Sequence, residues 1–166
     1  MQAIRAARIG GFELMILTET NINDQAHFRN MMGYDVILSK ATTTADGDAK
    51  GGVGMIIREK PQVWNINSTR FHGPNMVSCK VIYSNNIMPL IREYLPPSTL
   101  DYLTDLEETL NCFPRREPIV LGNLNANIGR FREPRDQQVA DFLTSLGLVD
   151  LLGHFCQRLC YFRLHK

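Results

Sequence analysis

The stretch PIVLGNLNANIGR, residues 118–130, decides the fold class that the chain predicts. An apolar run leads into Gly122, and three asparagines follow at Asn123, Asn125 and Asn127. A short apolar run bounded by proline and glycine predicts a buried strand. Polar groups at the end of a strand are where α/β folds usually form their sites. The stretch therefore predicts a strand that leads into a site, with an ordinary turn as the alternative, because asparagine is common in turns after strands.

Outward from this strand, most of the preceding chain predicts further strands. Residues 2–10 are rich in Ala and Arg and predict a helix. Asn23 or Asp24 can cap a short helix that runs through Met32. Short apolar runs predict strands over 12–20, 34–40, 53–58, 63–69, 76–84 and 87–95, with a polar, glycine-rich loop over 41–52.

Proline and leucine spacing organises the second half of the chain. Pro89 cannot donate to a strand ladder, so its strand is predicted to lie at an edge or to start late. Ser98 or Thr99 can cap a helix whose apolar stripe is formed by Leu100, Leu103, Leu106, Leu110 and Phe113. A final helix is predicted from about Arg135 to Leu146. The order of helices and strands predicts a mixed α/β architecture in which helices cover sheet faces.

Composition limits the classes of function. The 166 residues suit one domain, and 18 Lys and Arg against 17 Asp and Glu give a net charge of +1. That balance excludes a general basic footprint, so nucleic-acid binding requires a local patch. No apolar signal segment or membrane-spanning run is present in the sequence. We expect an intracellular protein with no membrane partner, and the nucleus is a candidate compartment.

The cysteines near the end of the chain raise a zinc interpretation. His154, Cys156 and Cys160 lie close together in sequence. They lack a fourth ligand and match no common zinc-finger spacing. Buried or surface thiols are therefore the favoured interpretation.

Three stretches place polar residues at predicted strand ends. Glu19 lies in ILTET (16–20), Tyr94 lies in REYLPPS (92–98), and GNLNAN (122–127) follows its own strand. Taken alone, Glu19 reads as a polar residue at a strand end, and Tyr94 as a packed aromatic with a satisfied hydroxyl. Their common position at strand ends favours one shared site.

In this order, with GGVGMIIR (51–58) between the first two, the stretches resemble the endonuclease/exonuclease/phosphatase superfamily. The resemblance is in particular to the apurinic-type endonuclease domain of non-LTR (LINE-like) retrotransposons. In that family LQET carries a metal-binding Glu, YxPP an active-site Tyr, and GDFN or GDLN an Asp and an Asn. The matching residues are Glu19, Tyr94, Asn123 and Asn125.

The resemblance implies both a fold and a reaction. The implied fold is α/β, with two packed mixed β-sheets flanked by helices in a four-layer α/β/β/α arrangement, DNase-like and incomplete. The implied reaction is Mg²⁺-dependent hydrolysis of DNA phosphodiesters. Glu19 would bind the metal, Tyr94 would contact a phosphate oxygen or the leaving group, and Asn125 would hold the phosphate.

The main departure from the family pattern is at position 123. Asn123 stands where the family Asp orients or deprotonates the attacking water, and an amide cannot act as a base near neutral pH. We therefore expect Mg²⁺, or Mn²⁺ in its place, to bind weakly if at all, and nicking to be weak or absent. The alternatives are a non-catalytic retroelement-derived fragment that binds nucleic acid or protein, and a small-molecule phosphatase or phosphodiesterase of the same superfamily.

The family pattern also sets the expected domain limits and partners. Residues 1–155 are predicted to form a partial domain, truncated at both ends, and residues 156–166 a tail of uncertain structure. Sheet edges left without a partner would favour self-association. DNA is the expected partner, with local contacts from Arg130, Arg132 and Arg135, although interleaved acidic residues make a solvated loop the alternative.

Overall fold

A computed structural model of the chain describes residues 2–59, 64–83, 86–96, 100–114, 116–128, 130–150 and 160–164. Its helices are α1 (Gln2–Gly10), α2 (Tyr102–Asn111) and α3 (Pro134–Ser145). Its strands are β1 (Leu14–Thr18), β2 (Ala26–Met31), β3 (Tyr34–Leu38), β4 (Thr42–Thr43), β5 (Ala49–Lys50), β6 (Val53–Arg58), β7 (Trp64–Phe71), β8 (Met76–Tyr83), β9 (Asn86–Tyr94), β10 (Ile119–Asn123), β11 (Leu148–Asp150) and β12 (Cys160–Leu164). Within these residues, no helix is both long and apolar enough to cross a membrane.

The strands form two principal sheets. The four-stranded sheet has the order β1-β6-β3-β2 and is antiparallel throughout. The six-stranded sheet has the order β11-β12-β10-β9-β8-β7. Its β9 and β10 are parallel, whereas its other neighbours are antiparallel. Strands β4 and β5 pair with each other in the predicted loop 41–52.

One apolar core joins the two sheets face to face. Its fully buried members alternate along their strands, as expected for residues that point to one face of a sheet. The first sheet contributes Ile37, Val53, Met55 and Ile57, and the second contributes Ile66, Val77, Cys79, Val81, Leu90 and Leu121. Burial in this core, next to Asp35, raises the pKa of the Cys79 thiol to about 12, so that thiol is an inert core group.

Helices cover the outer faces of both sheets. Residues of α2 and α3 share a core with the outer face of the six-stranded sheet, through Leu103, Leu106, Leu110, Val139 and Leu143 against Met76, Ile91 and Val120. On the other side, Ala3 of α1 packs against a cluster that includes Tyr34, Val36 and Ile56. The predicted four-layer arrangement of two sheets flanked by helices is confirmed.

The helix predicted from Asn23 or Asp24 to Met32 is wrong. Residues Ala26–Met31 form β2, which pairs with β3. Met32 and Gly33 both have positive φ, 55° and 80°, between the paired residues Met31 and Tyr34. Two consecutive positive φ values are typical of a type I′ hairpin turn. Gly33 therefore serves as the second residue of a hairpin turn.

The prediction that the strand containing Pro89 lies at an edge or starts late is wrong, because β9 begins at Asn86 and lies between β8 and β10. Strand β9 lies inside the six-stranded sheet, but its ladder with β10 begins at Leu90 paired with Ile119. Pro89 lies one residue before that ladder and pairs across β8 with Lys80. The missing N–H of the proline therefore precedes the parallel ladder.

The C-terminal part of the chain contributes to the second sheet. Cys160–Leu164, within the segment predicted as a tail, forms β12 between β11 and β10. The domain boundary at residue 155 stays a prediction. In the described part of the chain, β1 and β2 are the edges of one sheet, and β7 and β11 are the edges of the other. Self-association through these edges stays a prediction as well.

Gly122 illustrates how the end of β10 depends on a missing side chain. A Cβ atom at this position would lie 2.4 Å from the carbonyl oxygen of Glu93 on the neighbouring strand. Because backbone cannot yield as a flexible side chain does, we expect Gly122→Ala to lower the free energy of unfolding by about 2 to 3 kcal/mol.

Urea unfolding checks this expectation. Gly73→Ala is the control: its φ of 83° strains the backbone, but open space surrounds a Cβ there. We expect this control to cost about 1 kcal/mol. Equal losses for the two variants would contradict the close approach of β9 and β10.

Candidate functional site

The structure brings Glu19 and Tyr94 together from different sheets. Glu19 directly follows β1, and Tyr94 is the last residue of β9. The Tyr94 hydroxyl donates a hydrogen bond of 3.2 Å to Oε1 of Glu19. Glu19 is exposed, and Tyr94 is half-buried and packs against the core between the sheets, so the pair lies at the surface beside that core. Two residues that are 75 positions apart in sequence therefore meet, as the strand-end argument predicts.

The charge state of Tyr94 follows from this pairing. Partial burial and then the neighbouring Glu19 carboxylate raise the pKa of the Tyr94 hydroxyl, while a hydrogen bond from the Asn125 side chain acts in the opposite direction. The phenol therefore stays protonated at neutral pH and can donate a hydrogen bond. A phenol next to a carboxylate suits contact with a phosphate oxygen better than attack as a phenolate.

The backbone at Glu19 is in an unusual conformation. Its φ is 50°, and Asn21, two residues later, has a φ of 52°. A non-glycine residue with positive φ costs about 1 to 2 kcal/mol, and such strain occurs often at functional sites. Main-chain hydrogen bonds from Thr20 and Asn21 to the carbonyls of Gly52 and Gly51 hold this turn.

The glycine pair leaves space for the Glu19 turn. A Cβ on Gly52, whose φ is 79°, would lie 2.4 Å from the Thr20 hydroxyl oxygen. The second glycine of GGVGMIIR therefore has a physical reason: a larger residue there would be strained at a positive φ and would displace the hydroxyl of Thr20, which follows Glu19.

The two motif asparagines have different roles in the structure. Oδ1 of Asn123 accepts a hydrogen bond of 3.0 Å from the backbone N–H of Asn125, so Asn123 stabilises the turn after β10. Nδ2 of Asn125 donates to the Leu95 carbonyl at 2.9 Å, which ties this turn to the residue after Tyr94. Asn123 and Tyr94 are also direct neighbours in the parallel ladder. The structure thus places Tyr94, Asn123 and Asn125 at the carboxyl ends of two neighbouring strands of the second sheet.

Sequence reasoning missed Ser39, which connects the sheets close to the site. Ser39 is fully buried, and its hydroxyl donates to the Pro74 carbonyl at 2.7 Å and accepts from the Val53 N–H at 2.8 Å. Pro74 precedes β8 in the second sheet, whereas Val53 begins β6 in the first. The bond helps to fix the spacing between the sheet that carries Glu19 and the sheet that carries Tyr94. A serine directly after a run as apolar as YDVIL (34–38) gives only a weak signal for such a role.

Sequence reasoning also missed Asp136, which organises the loop after the asparagines. Its buried carboxylate accepts hydrogen bonds from the backbone N–H groups of Asn127, Arg132 and Glu133. The N–H groups of Asn127 and Arg132 contribute most to lowering its pKa, so the group is charged at neutral pH. Glu133 is the N-cap residue of α3, and an acid three residues after a cap is a recognisable signal in EPRD.

The three arginines of the predicted DNA contact differ in position. Arg130 and Arg132 are exposed in the loop before α3. The guanidinium of Arg135 donates to the carbonyl of Pro96 at 2.7 Å and to that of Leu124 at 3.4 Å. Arg135 thus links the loops after β9 and β10, which leaves Arg130 and Arg132 as the better placed candidates for DNA contact.

His72 has a structural role, and two residues of the zinc interpretation lie outside the described residues. Nε2 of His72 is 2.8 Å from the Ser78 hydroxyl, and Nδ1 is 3.4 Å from the Thr109 hydroxyl, so His72 connects β8 to α2. Trp64 opens β7, and its side chain is outside the described part of the chain. His154 and Cys156 of the zinc interpretation also lie outside the described residues.

A test of the site for a divalent cation gives a limited fit. Glu19 is the carboxylate beside Tyr94, and in the described part of the chain no group of three or more His, Cys, Asp or Glu could hold a metal ion. Mg²⁺ can bind through one or two carboxylates together with waters and substrate phosphates. Because Asn123 supplies no charge, Glu19 alone would hold the ion, and this donor set predicts weak binding.

Comparison with known structures places the fold. No protein-family model matches the sequence, and no curated protein matches it. An AP endonuclease from Archaeoglobus fulgidus is similar, with a TM-score of 0.66 and 13% identity over 97% of this chain and 79% of that one. The endonuclease domain of TRAS1, a telomere-specific non-LTR retrotransposon, has a TM-score of 0.65 and 16% identity over 96% and 76%.

A third structure carries the family name. An endonuclease/exonuclease/phosphatase family protein from Bacteroides thetaiotaomicron has a TM-score of 0.61 and 10% identity, over 98% of this chain and 73% of that one. Identities this low compare folds rather than activities. The chain therefore has the fold of the endonuclease/exonuclease/phosphatase superfamily, to which its sequence motifs point.

Proposed function

We propose that this chain is a DNA-binding domain of the endonuclease type whose phosphodiesterase site is degenerate. The observation that carries the proposal is the hydrogen bond from Tyr94 to Glu19 across the two sheets, with Asn125 beside it. Two of the similar structures are endonucleases by name, which supports DNA as the substrate. A retrotransposon origin fits the motif order, and a nuclear location would follow from action on DNA.

The residues of the site allow binding of a phosphate more readily than its hydrolysis. Tyr94 is a protonated donor, and Asn125 brings an amide to the same end of the strands. A bound Mg²⁺ would polarise the phosphoryl oxygen. Position 123 offers no base for the attacking water, and loss of a positioned base commonly costs about two to four decades of rate. Nicking is therefore expected to be weak.

A plasmid-nicking assay over a range of Mg²⁺ and Mn²⁺ concentrations tests the proposal. We expect slow nicking at most, removed by Glu19→Ala, because Glu19 is the carboxylate that would hold the cation. Glu107→Ala is the matched control, since Glu107 is an exposed glutamate on α2.

The two main hypotheses give different results in this assay. Nicking that requires Glu19 would reject the non-catalytic fragment. If no metal concentration supports nicking, the enzymatic interpretation of this chain fails and the fragment hypothesis is favoured.

A further inference from the structure

A loop beside the candidate site exposes an aromatic ring between two cations. Arg130, Phe131 and Arg132, which we call the RFR loop, precede α3. Phe131 is 53% exposed, and both arginines are exposed. A single exposed phenylalanine is common on protein surfaces, but this one lies between two exposed arginines and so presents an apolar ring between two positive charges. Its flanking charges specify a partner that is negatively charged and has flat apolar faces.

Hydrogen bonds to Asp136 hold the main chain of the RFR loop in place. The buried carboxylate of Asp136 accepts the N–H of Arg132 at 2.8 Å, and it also accepts the N–H of Asn127 at 2.8 Å. These charge-assisted hydrogen bonds fix the main chain on both sides of Phe131. A loop that is ordered before binding loses less conformational entropy when it binds.

The same loop is connected to the candidate site. Asn127 follows Asn125 by two residues, and Arg135 donates to the carbonyls of Pro96 and Leu124, in the loops that follow β9, which ends at Tyr94, and β10. A DNA strand whose phosphate reaches Tyr94 would therefore extend along the loops at these strand ends toward the RFR loop.

We propose that the RFR loop binds an unstacked DNA base, with Phe131 stacked on the base and Arg130 and Arg132 on the adjacent phosphates. Stacking on an aromatic side chain requires a base that is free of its own stack, so the preferred substrate is single-stranded or locally unpaired DNA. This inference rests on the proposed function for the approach of DNA, but it concerns binding and requires no hydrolysis. Glu133, exposed at the next position, places a negative charge beside Arg132 and would reduce the affinity.

Fluorescence anisotropy with a labelled dT15 oligonucleotide and a 15-base-pair duplex tests the inference. We expect Phe131→Ala to weaken dT15 binding about 10-fold or more, and duplex binding much less, because only the free base can stack. Phe131→Trp should keep the wild-type affinity for dT15, because an indole ring also stacks on a base. Arg130→Ala combined with Arg132→Ala should reduce the slope of log affinity against log salt by about 1.4, since two phosphate contacts are lost.

Phe12→Ala is the matched control, because Phe12 is 51% exposed and lies before β1 rather than in the RFR loop. An equal loss of dT15 affinity in Phe12→Ala and Phe131→Ala, an equal loss for duplex and single strand, or no DNA binding at all would each overturn the inference. A chain that binds dT15 through Phe131 but nicks no plasmid supports the inference and rejects only catalysis. If nicking does not depend on Phe131 and dT15 is not preferred over the duplex, the inference about the RFR loop fails while the proposed function stands.

Discussion

Glu93→Gln is expected to flatten the pH dependence of the free energy of unfolding between about pH 4.5 and pH 8. Glu93 is fully buried in β9. Among the described residues, neither of its carboxylate oxygens has a hydrogen-bond partner. Burial raises the pKa of this carboxyl from 4.5 to about 8, Arg92 partly offsets the shift, and Asp105 adds to it. The group is therefore neutral in the folded chain at pH 7 and charged in the unfolded chain.

The direction of the effect follows from proton binding. Between pH 4.5 and 8 the folded state keeps a proton on Glu93 that the unfolded state has released, so the contribution of Glu93 to stability is greatest below pH 4.5 and is lost as the pH rises through about 8. The slope is about 1.4 kcal/mol per pH unit, and the whole loss is on the order of 5 kcal/mol. Arg92, whose pKa burial lowers to about 10, changes charge above this window.

Urea unfolding at pH 5.0, 6.5 and 8.0, followed by circular dichroism, measures the difference between the two chains. His72 also titrates near this range with a pKa lowered by burial, but it is present in both chains, and its contribution cancels in the difference. Glu107→Gln, an exposed exchange on α2, should leave the wild-type slope unchanged. Parallel curves for wild type and Glu93→Gln would show that Glu93 is charged in the folded state.

The helices and strands that the sequence predicts correctly are those whose apolar residues follow a simple period. The apolar runs gave β6, β8 and β10, and the leucine stripe gave α2, because their burial follows a simple period. Strand β2 was not predicted, because its sequence AHFRNM has no clear period of apolar residues. Its conformation depends on pairing with β3 through the Met32–Gly33 turn. Tertiary pairing overrides weak local propensity in such segments.

The predicted part of the site is the set of residues at strand ends. Glu19, Tyr94 and Asn125 were named from sequence and lie together. Their supports were not predicted, because Ser39 acts across the two sheets and Asp136 acts through three main-chain N–H groups. The burial of Glu93 was also not predicted. Two consecutive charged residues, Arg92 and Glu93, give no sign that β9 lies inside the sheet.

Asn123→Asp is expected to raise the rate of Mg²⁺-dependent DNA nicking by about two to four decades. The structure suits this exchange because Oδ1 of Asn123 already accepts the N–H of Asn125 at 3.0 Å, and a carboxylate oxygen can accept the same bond. The turn after β10 is then kept while the second oxygen provides a base and a negative charge beside Tyr94, its neighbour in the ladder. Initial rates on supercoiled plasmid measure the change.

Two further variants separate a restored site from an added charge. Asn111→Asp introduces the same charge at an exposed position on α2 and should leave the rate unchanged. Glu19→Ala in the Asn123→Asp chain should remove the gained activity, because the new carboxylate acts together with Glu19 across the two sheets. A folded Asn123→Asp chain that nicks no faster than wild type would show that GNLNA is a turn after a strand and does not occupy the place of a catalytic motif. If the gain in nicking survives Glu19→Ala, the reaction takes place away from the Glu19–Tyr94 pair. A base at position 123 acts on a phosphate bound at that pair only when the pair holds the phosphate in place.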